Sequence, residues 1–534
     1  MLILQSISYI HPDKEILFED ISLVVNKGDK AALIGNNGTG KSTLLKIMSG
    51  KLGPSTGTLK VDSSPYYVPQ IFGQFNDLTV AQALRIDEKL QSLKKILDGQ
   101  PTEENLSILN DDWTIEERCR QALAGWQMEG VPLEQKMGTL SGGQKARVFL
   151  AGIQIHKPEI VLLDEPSNHL DTSSRQILYD YIENTANTLI VVSHDRTLLN
   201  LLDNVYELGG NGINVYGGNY DFYATQKQIE AEVLSQNLKN KEKALRNARA
   251  IERESVERQQ KLDARGRKKQ EKAGLPTISM NTLRNNAEKS TARLKSVQAE
   301  KTGNIARQLE ELRQELPDNE KMKMEFDSSS LHKGKVLVSA REINARFSDR
   351  LLWNKDVTVE IRSGERIVVK GSNGAGKTTL IKLILGELPV SKGTVERADV
   401  ASIYIDQDYT LINNTLNVYE QAQHFNSAGL QEHEIKSRLN RFLFTRAYWD
   451  KPCKALSGGE KMRLMLCCLA ISEHAPDIIV LDEPTNNLDI QNMEILTAAV
   501  NEYQGTVLVI SHDEFFLKQI ESERVINMDD YRSE

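Results

Sequence analysis

The sequence predicts an α/β protein made of two copies of one domain, residues 1–220 and 326–534, joined by an antiparallel α-helical hairpin over 221–325. Three observations predict it. Five short motifs recur in the same order in both halves. In each half a short apolar run leads into a glycine-rich loop and then into a helical pattern. Between the halves, apolar residues return at three, four or seven positions, the narrow seam of paired helices. At 534 residues the chain is long enough for two to four domains with full cores, and 40% hydrophobic with 26% charged residues is ordinary for a globular protein.

In the first half, Ala31-Ala32-Leu33-Ile34 reads as a buried strand. Gly35-Asn36-Asn37-Gly38-Thr39-Gly40-Lys41-Ser42 follows it directly, and a helix opens at Thr43. This is the G-x-x-x-x-G-K-S/T pattern in the strand, loop, helix context it requires. The glycines let backbone N–H groups wrap phosphates at a helix N-terminus, Lys41 bridges β- and γ-phosphate, and the Ser42 hydroxyl ligates Mg²⁺. Ile160-Val161-Leu162-Leu163-Asp164-Glu165 is an apolar strand ending in two carboxylates. The first suits Mg²⁺ and the second can polarise an attacking water. Leu140-Ser141-Gly142-Gly143-Gln144 opens a helix with small residues and free N–H groups, a second phosphate-facing terminus. His194, in Ser193-His194-Asp195 after the apolar run Thr188 to Val192, is placed to reach a γ-phosphate. Gln70 ends the strand-like Tyr66 to Pro69, and Tyr9 is an aromatic suited to stack on adenine. Taken singly, an acidic strand end or a histidine after a strand is more often structural, so the weight lies in the order.

The hairpin reads from Leu234, Leu238, Leu245, Ala248 and Ile251 on the way out and Leu294, Val297, Ile305, Leu309, Leu312 and Leu316 on the way back. Ala273-Gly274-Leu275-Pro276-Thr277-Ile278 is the expected turn, because Pro276 lacks a backbone N–H and Gly274 tolerates a C-terminal cap. An uninterrupted helix from Asp221 to Glu271 would reach roughly 75 Å. From Asp221 to Leu316 there are 21 Lys and Arg against 14 Asp and Glu, leaving 45 against 60 for the remainder. An acidic protein thus carries one basic rod. The surplus gathers near the turn, at Arg258, Lys261, Arg265, Arg267, Lys268, Lys269, Lys272, Arg284 and Lys289, beside apolar Leu275, Ile278 and Met280. The plain alternative is a solvated coiled-coil face; the clustering favours a polyanion, bound through counterion release.

The second half answers the first motif for motif. Gly371-Ser372-Asn373-Gly374-Ala375-Gly376-Lys377-Thr378, Gln407, Leu456-Ser457-Gly458-Gly459-Glu460, Asp482-Glu483 and Ser511-His512-Asp513 stand at offsets of 336, 337, 316, 318 and 318. The change of offset places about twenty extra residues in the first copy, within Ile86 to Asp112. The four cysteines, Cys119, Cys453, Cys467 and Cys468, form no C-x-x-C pair, which argues against structural zinc, an iron–sulfur cluster or disulfides and suits a reducing cytosol. Met1 to Ser6 alternates like a strand without a basic leader, and no run of about 18 apolar residues occurs, so neither a signal peptide nor a membrane span is expected.

Taken together the motifs resemble the ATP-binding cassette ATPases, in the order Walker A, Q-loop, signature, Walker B, D-loop and switch histidine. Tandem cassettes joined by a long charged hairpin resemble the ABC-F family, and Leu140 to Arg147, Asp164 to Asp171 and Tyr216 to Asp221 are close to its wording. The resemblance implies two P-loop ATP-binding cassette domains, each with a RecA-like parallel core, a helical subdomain and an antiparallel β edge. It implies ATP and Mg²⁺ as cofactors. Thr43 and Thr379 would close the phosphate loops, Gln70 and Gln407 would join Ser42, Thr378, Asp164 and Asp482 at the metal, and Asn168 to Asp171 would form a D-loop. Glu165, Glu483, His194 and His512 would be catalytic. The head-to-tail cassettes of the family would put Ser457 and Gly459 over the Lys41 site and Ser141 and Gly143 over the Lys377 site, within a monomer.

It also implies a cytoplasmic factor without a membrane subunit, bound to the tRNA exit site of the ribosome. Its hairpin would reach toward peptidyl-tRNA and the peptidyl transferase centre, with ribosomal RNA and tRNA as partners of the basic residues. Such members serve translation or antibiotic resistance. The tandem ATPase of a sugar importer also carries two cassettes without membrane spans, but its cassettes abut; DNA-repair and chromosome ATPases split one cassette with their coil. Three positions depart from the pattern. Glu460 stands where Gln is usual, Leu198 or Leu199 replaces the aromatic that Phe516 keeps, and Phe347, the second adenine stacker, does not align with Tyr9.

Overall fold

The computed structural model describes residues 1–12, 14–209, 212–272, 296–297, 299–312, 332–347, 350–486 and 488–532. The expected turn at Ala273 to Ile278, Arg284, Lys289, Leu294 and Leu316 lie outside them, as do the side chains of Arg267, Lys268, Lys269, Lys272 and Phe347. Residues Met1–Tyr223 and Met322–Glu534 form one compact unit and Ala224–Lys321 a second.

The first cassette is built on six strands in the order Tyr66–Val68, Ile160–Asp164, Thr188–Val192, Lys30–Ile34, Asn204–Gly209, Gly212–Gly217, parallel up to the last, antiparallel pair. The second repeats the arrangement with five parallel strands, Ser402–Ile405, Ile478–Asp482, Thr506–Ile510, Arg366–Lys370 and Arg524–Asn527. These central strands are continuous apolar runs because both faces are covered. Ile478 and Val480 pack toward the phosphate-loop helix and the antiparallel edge, whereas Ile479 and Leu481 pack toward the helices on the other face.

Each cassette carries the three-stranded antiparallel edge. Leu2–Ile10 lies between Ile16–Val25 and Thr56–Val61, and Val336–Asn344 lies between Val357–Arg362 and Lys392–Arg397. Both central strands break register at the same place. Ser6 and Glu342 each have φ of 48°, and the strand opposite supplies Gly57 or Gly393, where a Cβ would come within 2.4 Å of a backbone oxygen. Only glycine fits such an approach, so the irregularity is built into the repeated unit.

The helical subdomain of the first cassette includes Ile115–Gly125 and Gly142–His156; that of the second has Glu432–Arg441 and Gly458–Ile471. The extra residues of the first copy are two helices, Asp87–Leu97 and Glu103–Leu109, inside the span read from the offsets. They are anchored by Asp112, which accepts from Arg118 at 2.7 Å and from Lys89 at 3.1 Å.

In the second unit a helix runs Tyr220–Lys272, beginning in the first, and residues 299–312 are helical. Leu238 and Leu309 are its buried apolar side chains among the described residues, and Lys241 donates to Gln308 at 2.7 Å. Ile251 and Val297 are exposed instead of joining the seam. At 100° per residue Ile251 has turned about 140° from Leu238, and Val297 about 120° from Leu309, too far for one straight stripe. Among the described residues no helix is long and apolar enough to cross a membrane.

Candidate functional site

Each phosphate loop joins a buried strand to a helix that starts at its lysine, Lys41–Met48 and Lys377–Leu385. The caps are Gly40 and Gly376, at φ of 96° and 91°, and neither offers a side-chain acceptor. The first N–H groups of both helices therefore remain for an anion. A Cβ on Gly40 would meet Leu17 at 2.7 Å, and one on Gly376 would meet Leu352 and Trp353 at 2.8 Å, which fixes glycine at both caps. The lysines turn back over their loops: Lys41 Nζ donates to the carbonyls of Gly35 (2.6 Å) and Asn36 (3.1 Å), Lys377 Nζ to those of Gly371 (2.7 Å) and Ser372 (3.3 Å). Burial lowers the pKa of each ammonium, and neighbouring carboxylates oppose the shift.

Beside the loop, Ser42 Oγ donates to Asp164 at 2.9 Å and Thr378 Oγ1 to Asp482 at 3.0 Å. A buried carboxylate and a hydroxyl, with Gln70 beside Ser42 in the cavity wall, form an oxygen-only donor set that would suit Mg²⁺. Two tyrosines missed by the sequence reading complete it. Tyr67 donates to Asp164 at 2.9 Å and Tyr404 to Asp482 at 2.6 Å. The signal was present: each precedes its glutamine, Gln70 or Gln407, by three residues.

Glu165 and Glu483 follow their strands at φ of 50°, in the left-handed region that side chains avoid. Backbone bonds hold them there, Glu165 N–H to Val192 O and Glu483 N–H to Ile510 O, both at 2.8 Å. The turn aims each carboxyl at the following histidine, His194 Nε2 lying 3.3 Å from Glu165 Oε1 and His512 Nε2 3.4 Å from Glu483 Oε1. Burial pushes Glu165 up to about 8 and Glu483 up to about 7, holds His194 well below its ordinary value, and takes His512 down to about 3 with help from Lys377 and Arg175. Burial thus favours the neutral form of both partners. A divalent cation beside Asp164 or Asp482 would supply positive charge that favours the carboxylate form.

The cassettes meet head to tail. Asn37 N–H donates to Asp489 of the second cassette at 3.0 Å, and Asn373 Nδ2 donates to the His169 carbonyl of the first at 3.3 Å. A cavity of about 400 Å³ opens over Lys41, lined by Asn37, Gly38, Ser42, Thr43, Gln70, Glu165, Asn168 and His194, and by Ser457 from the other cassette. Ser141 and Ser457 cap their helices through capping boxes with Gln144 and Glu460. The signature N-terminus is thus less bare than expected, and the N–H groups of Gly142, Gly143, Gly458 and Gly459 are those the box does not use. Glu460 keeps the box that Gln144 makes and adds an ion pair to Lys451 at 3.2 Å.

Gly38, Gly40 and Thr43 line the cavity, and Thr39 closes its own loop by donating to Asn36 O at 2.9 Å. Gly374, Ala375, Gly376 and Thr379 occupy the matching stretch of the second loop, and Gln407 follows its strand as Gln70 does. Tyr9 is not in the wall; the ring there is His11, two residues on, which Tyr9 meets edge-on at 5.5 Å. In Leu2–Ile10 the register shifts on both sides of Tyr9, which pairs with Phe18. Phe347 lies on the short strand Arg346–Phe347. Arg258, Lys261 and Arg265 are exposed on the helix Tyr220–Lys272.

Comparison with known proteins agrees with this geometry. The family model described as ABC transporter matches residues 18–168 and 354–486, the two cassettes. The chain is 31% identical over 96% of its length, and 96% of the relative's, to the "Probable ATP-binding protein YbiT" of Escherichia coli O157:H7. It is 29% identical to "ABC transporter F family member 5" of Arabidopsis thaliana, over 96% of this chain and 73% of that one. It is also 29% identical to "ATP-binding protein Uup" of Escherichia coli K12, over 94% and 76%. Among solved structures, "RNase-L Inhibitor" superposes with a TM-score of 0.59 at 20% identity, covering 98% of this chain and 87% of that one; "Model of ribosome-bound archaeal Pelota and ABCE1" gives 0.57 at 20%, covering 98% and 76%. These two share the fold. The chain belongs to the ATP-binding cassette family, as a tandem-cassette ATPase of its F group.

Proposed function

We propose that the chain is a cytoplasmic clamp that binds the tRNA exit site of the ribosome in its ATP-bound, closed form and is released when hydrolysis opens it. The observation that carries the reading is Ser457 in the wall of the Lys41 cavity. Nucleotide held there touches both cassettes, so its binding free energy favours the closed arrangement. Closure in turn favours the ribosome, and linkage then requires the ribosome to tighten ATP binding. Glu165 and Glu483 orient the attacking water at their respective sites, with His194 and His512 beside them.

The linker supplies the contact with RNA. Residues 258–272 hold seven Lys and Arg against two acidic residues, a polyanion-binding composition in an otherwise acidic chain. In this reading the hairpin reaches toward peptidyl-tRNA and the peptidyl transferase centre, where it modulates translation or displaces an antibiotic. One structural neighbour is a ribosome-bound archaeal complex, which supports the assignment by analogy of fold. Glu165→Gln with Glu483→Gln should trap the chain on ribosomes in the presence of ATP, measured by co-sedimentation. Rapid release of the double variant under ATP, or recovery of the chain with a membrane permease instead, would overturn the proposal. Antibiotic susceptibility of a host with and without the gene separates the two roles.

A further inference from the structure

The two hydrolysis sites are not finished alike. At the second, His512 is clasped from both sides by the first cassette: Thr172 Oγ1 lies 3.2 Å from His512 Nδ1, and Arg175 Nη1 donates to the His512 carbonyl at 3.3 Å. The other ring nitrogen faces Glu483 at 3.4 Å and Lys377 at 3.4 Å, so every polar group of this histidine that faces the site has a neighbour. Thr172 and Arg175 sit on the first turns of Thr172–Asn184, whose start Asp171 caps. The repeat supplies the comparison. Ile490–Glu502 is the same helix capped by Asp489, and at Thr172 and Arg175 it carries Ile490 and Met493. Neither can offer a hydrogen bond. In agreement, Nδ1 of His194 is buried without a partner among the described residues.

Arg175 also reaches Asp195, next to His194, but that contact is long, 3.7 Å, and Asp195 is held independently by Tyr179 at 2.5 Å and by the N–H groups of Thr197 and Leu198. The carbonyl of His512 has no comparable second anchor among the bonds described. Loss of the guanidinium therefore falls on the second site.

We propose that Thr172 and Arg175 are positioning residues that set His512 in trans, so that hydrolysis at the Lys377 site depends on contact with the first cassette, whereas the Lys41 site turns over without such a clasp. The inference rests on the ATPase activity and not on the ribosome reading. The test is steady-state ATP hydrolysis by the full chain in two backgrounds, E165Q to leave the Lys377 site and E483Q to leave the Lys41 site. T172I with R175M, which writes the second cassette's residues into the first, should lower kcat about tenfold in the E165Q background, a loss of about 1.4 kcal/mol at the transition state. KM for ATP should stay within about twofold, and kcat in the E483Q background should change by less than about twofold. R175K, which keeps one donor for the carbonyl, should recover part of the loss. Equal losses in both backgrounds would make the pair a general interface contact and overturn the proposal, as would no loss in the E165Q background or a loss confined to KM. Should the double substitution lower the melting temperature by more than a few degrees, T172I alone decides by the same criteria.

Discussion

Replacing Glu165 and Glu483 by Gln should stabilise the nucleotide-free chain, and increasingly so as pH rises. In the folded protein Glu165 keeps its proton up to about 8 and Glu483 up to about 7, against an ordinary value of 4.5. Between these limits the folded state binds more protons than the unfolded one, so stability falls with rising pH, by about 1.4 kcal/mol per pH unit for each carboxyl. At pH 7 the cost is on the order of 3 kcal/mol for each group, and near pH 4.5 it vanishes. Glutamine has the same shape, can still meet the histidine, and has no proton to lose. For domains of this size 1 kcal/mol moves the midpoint by about 2–4 °C, so either single variant should melt roughly 6–12 °C above the parent at pH 7 and within about 2 °C of it near pH 4.5. The assay is the difference in midpoint, variant minus parent, across pH 4.5–8 without nucleotide or divalent cation. The difference is needed because His194 and His512, with lowered values, act with the opposite sign below about 6.5 in both proteins. A difference that is flat with pH, or that grows on acidification, would refute the burial argument for these carboxyls.

Two further predictions concern regions away from the phosphate loops. Changing Arg265, Arg267, Lys268 and Lys269 to Glu should weaken ribosome binding and lower the slope of log affinity against log salt by about three, with hydrolysis away from ribosomes unchanged; an unaltered slope would leave those residues as a solvated face. Asp112→Asn should loosen the two inserted helices by about 1 kcal/mol, read as faster proteolysis within residues 87–112. Arg118 is the first cause of the lowered Asp112 pKa, so this contribution is present above about 3.8 and is lost as pH falls through the lower folded value.

The sites were legible in the sequence wherever chemistry forces a residue type on a fixed spacing. Lys41 and Lys377, Asp164 and Asp482, Glu165 and Glu483 had to sit at a strand end or a helix start, and each has its counterpart at the matching place in the other copy. The place of the extra residues was legible for the same reason, because a change of offset between copies means that one of them is longer there, though not that they form helices. Adenine stacking was less so. Tyr9 lies within the strand Leu2–Ile10 and His11 just beyond its end, and it is His11 that lines the cavity. The linker seam misled at Ile251 because heptad spacing and 3.6-residue turns drift apart over three turns. Thr172 and Arg175 carried no signal at all. Their partner lies 340 residues away for Thr172, and a threonine or arginine early in a helix reads as an ordinary solvated position.

What differs between the copies is as informative as what repeats. Side chains around the two phosphate loops are the same type in both cassettes: Lys41 and Lys377, Glu165 and Glu483, His194 and His512. Among side chains that reach the other cassette, Asn37 and Asn373 are the same type, but Thr172 and Ile490, and Arg175 and Met493, are not. In a symmetric homodimer this split is impossible, because each surface residue serves both sites at once. Joining two cassettes in one chain removes that constraint, and the substitutions here use the freedom where the first cassette touches His512. If the clasp on His512 acts as inferred, the tandem arrangement provides more than closure. It sets the switch histidine of one site from across the interface, while the histidine of the other is placed within its own cassette.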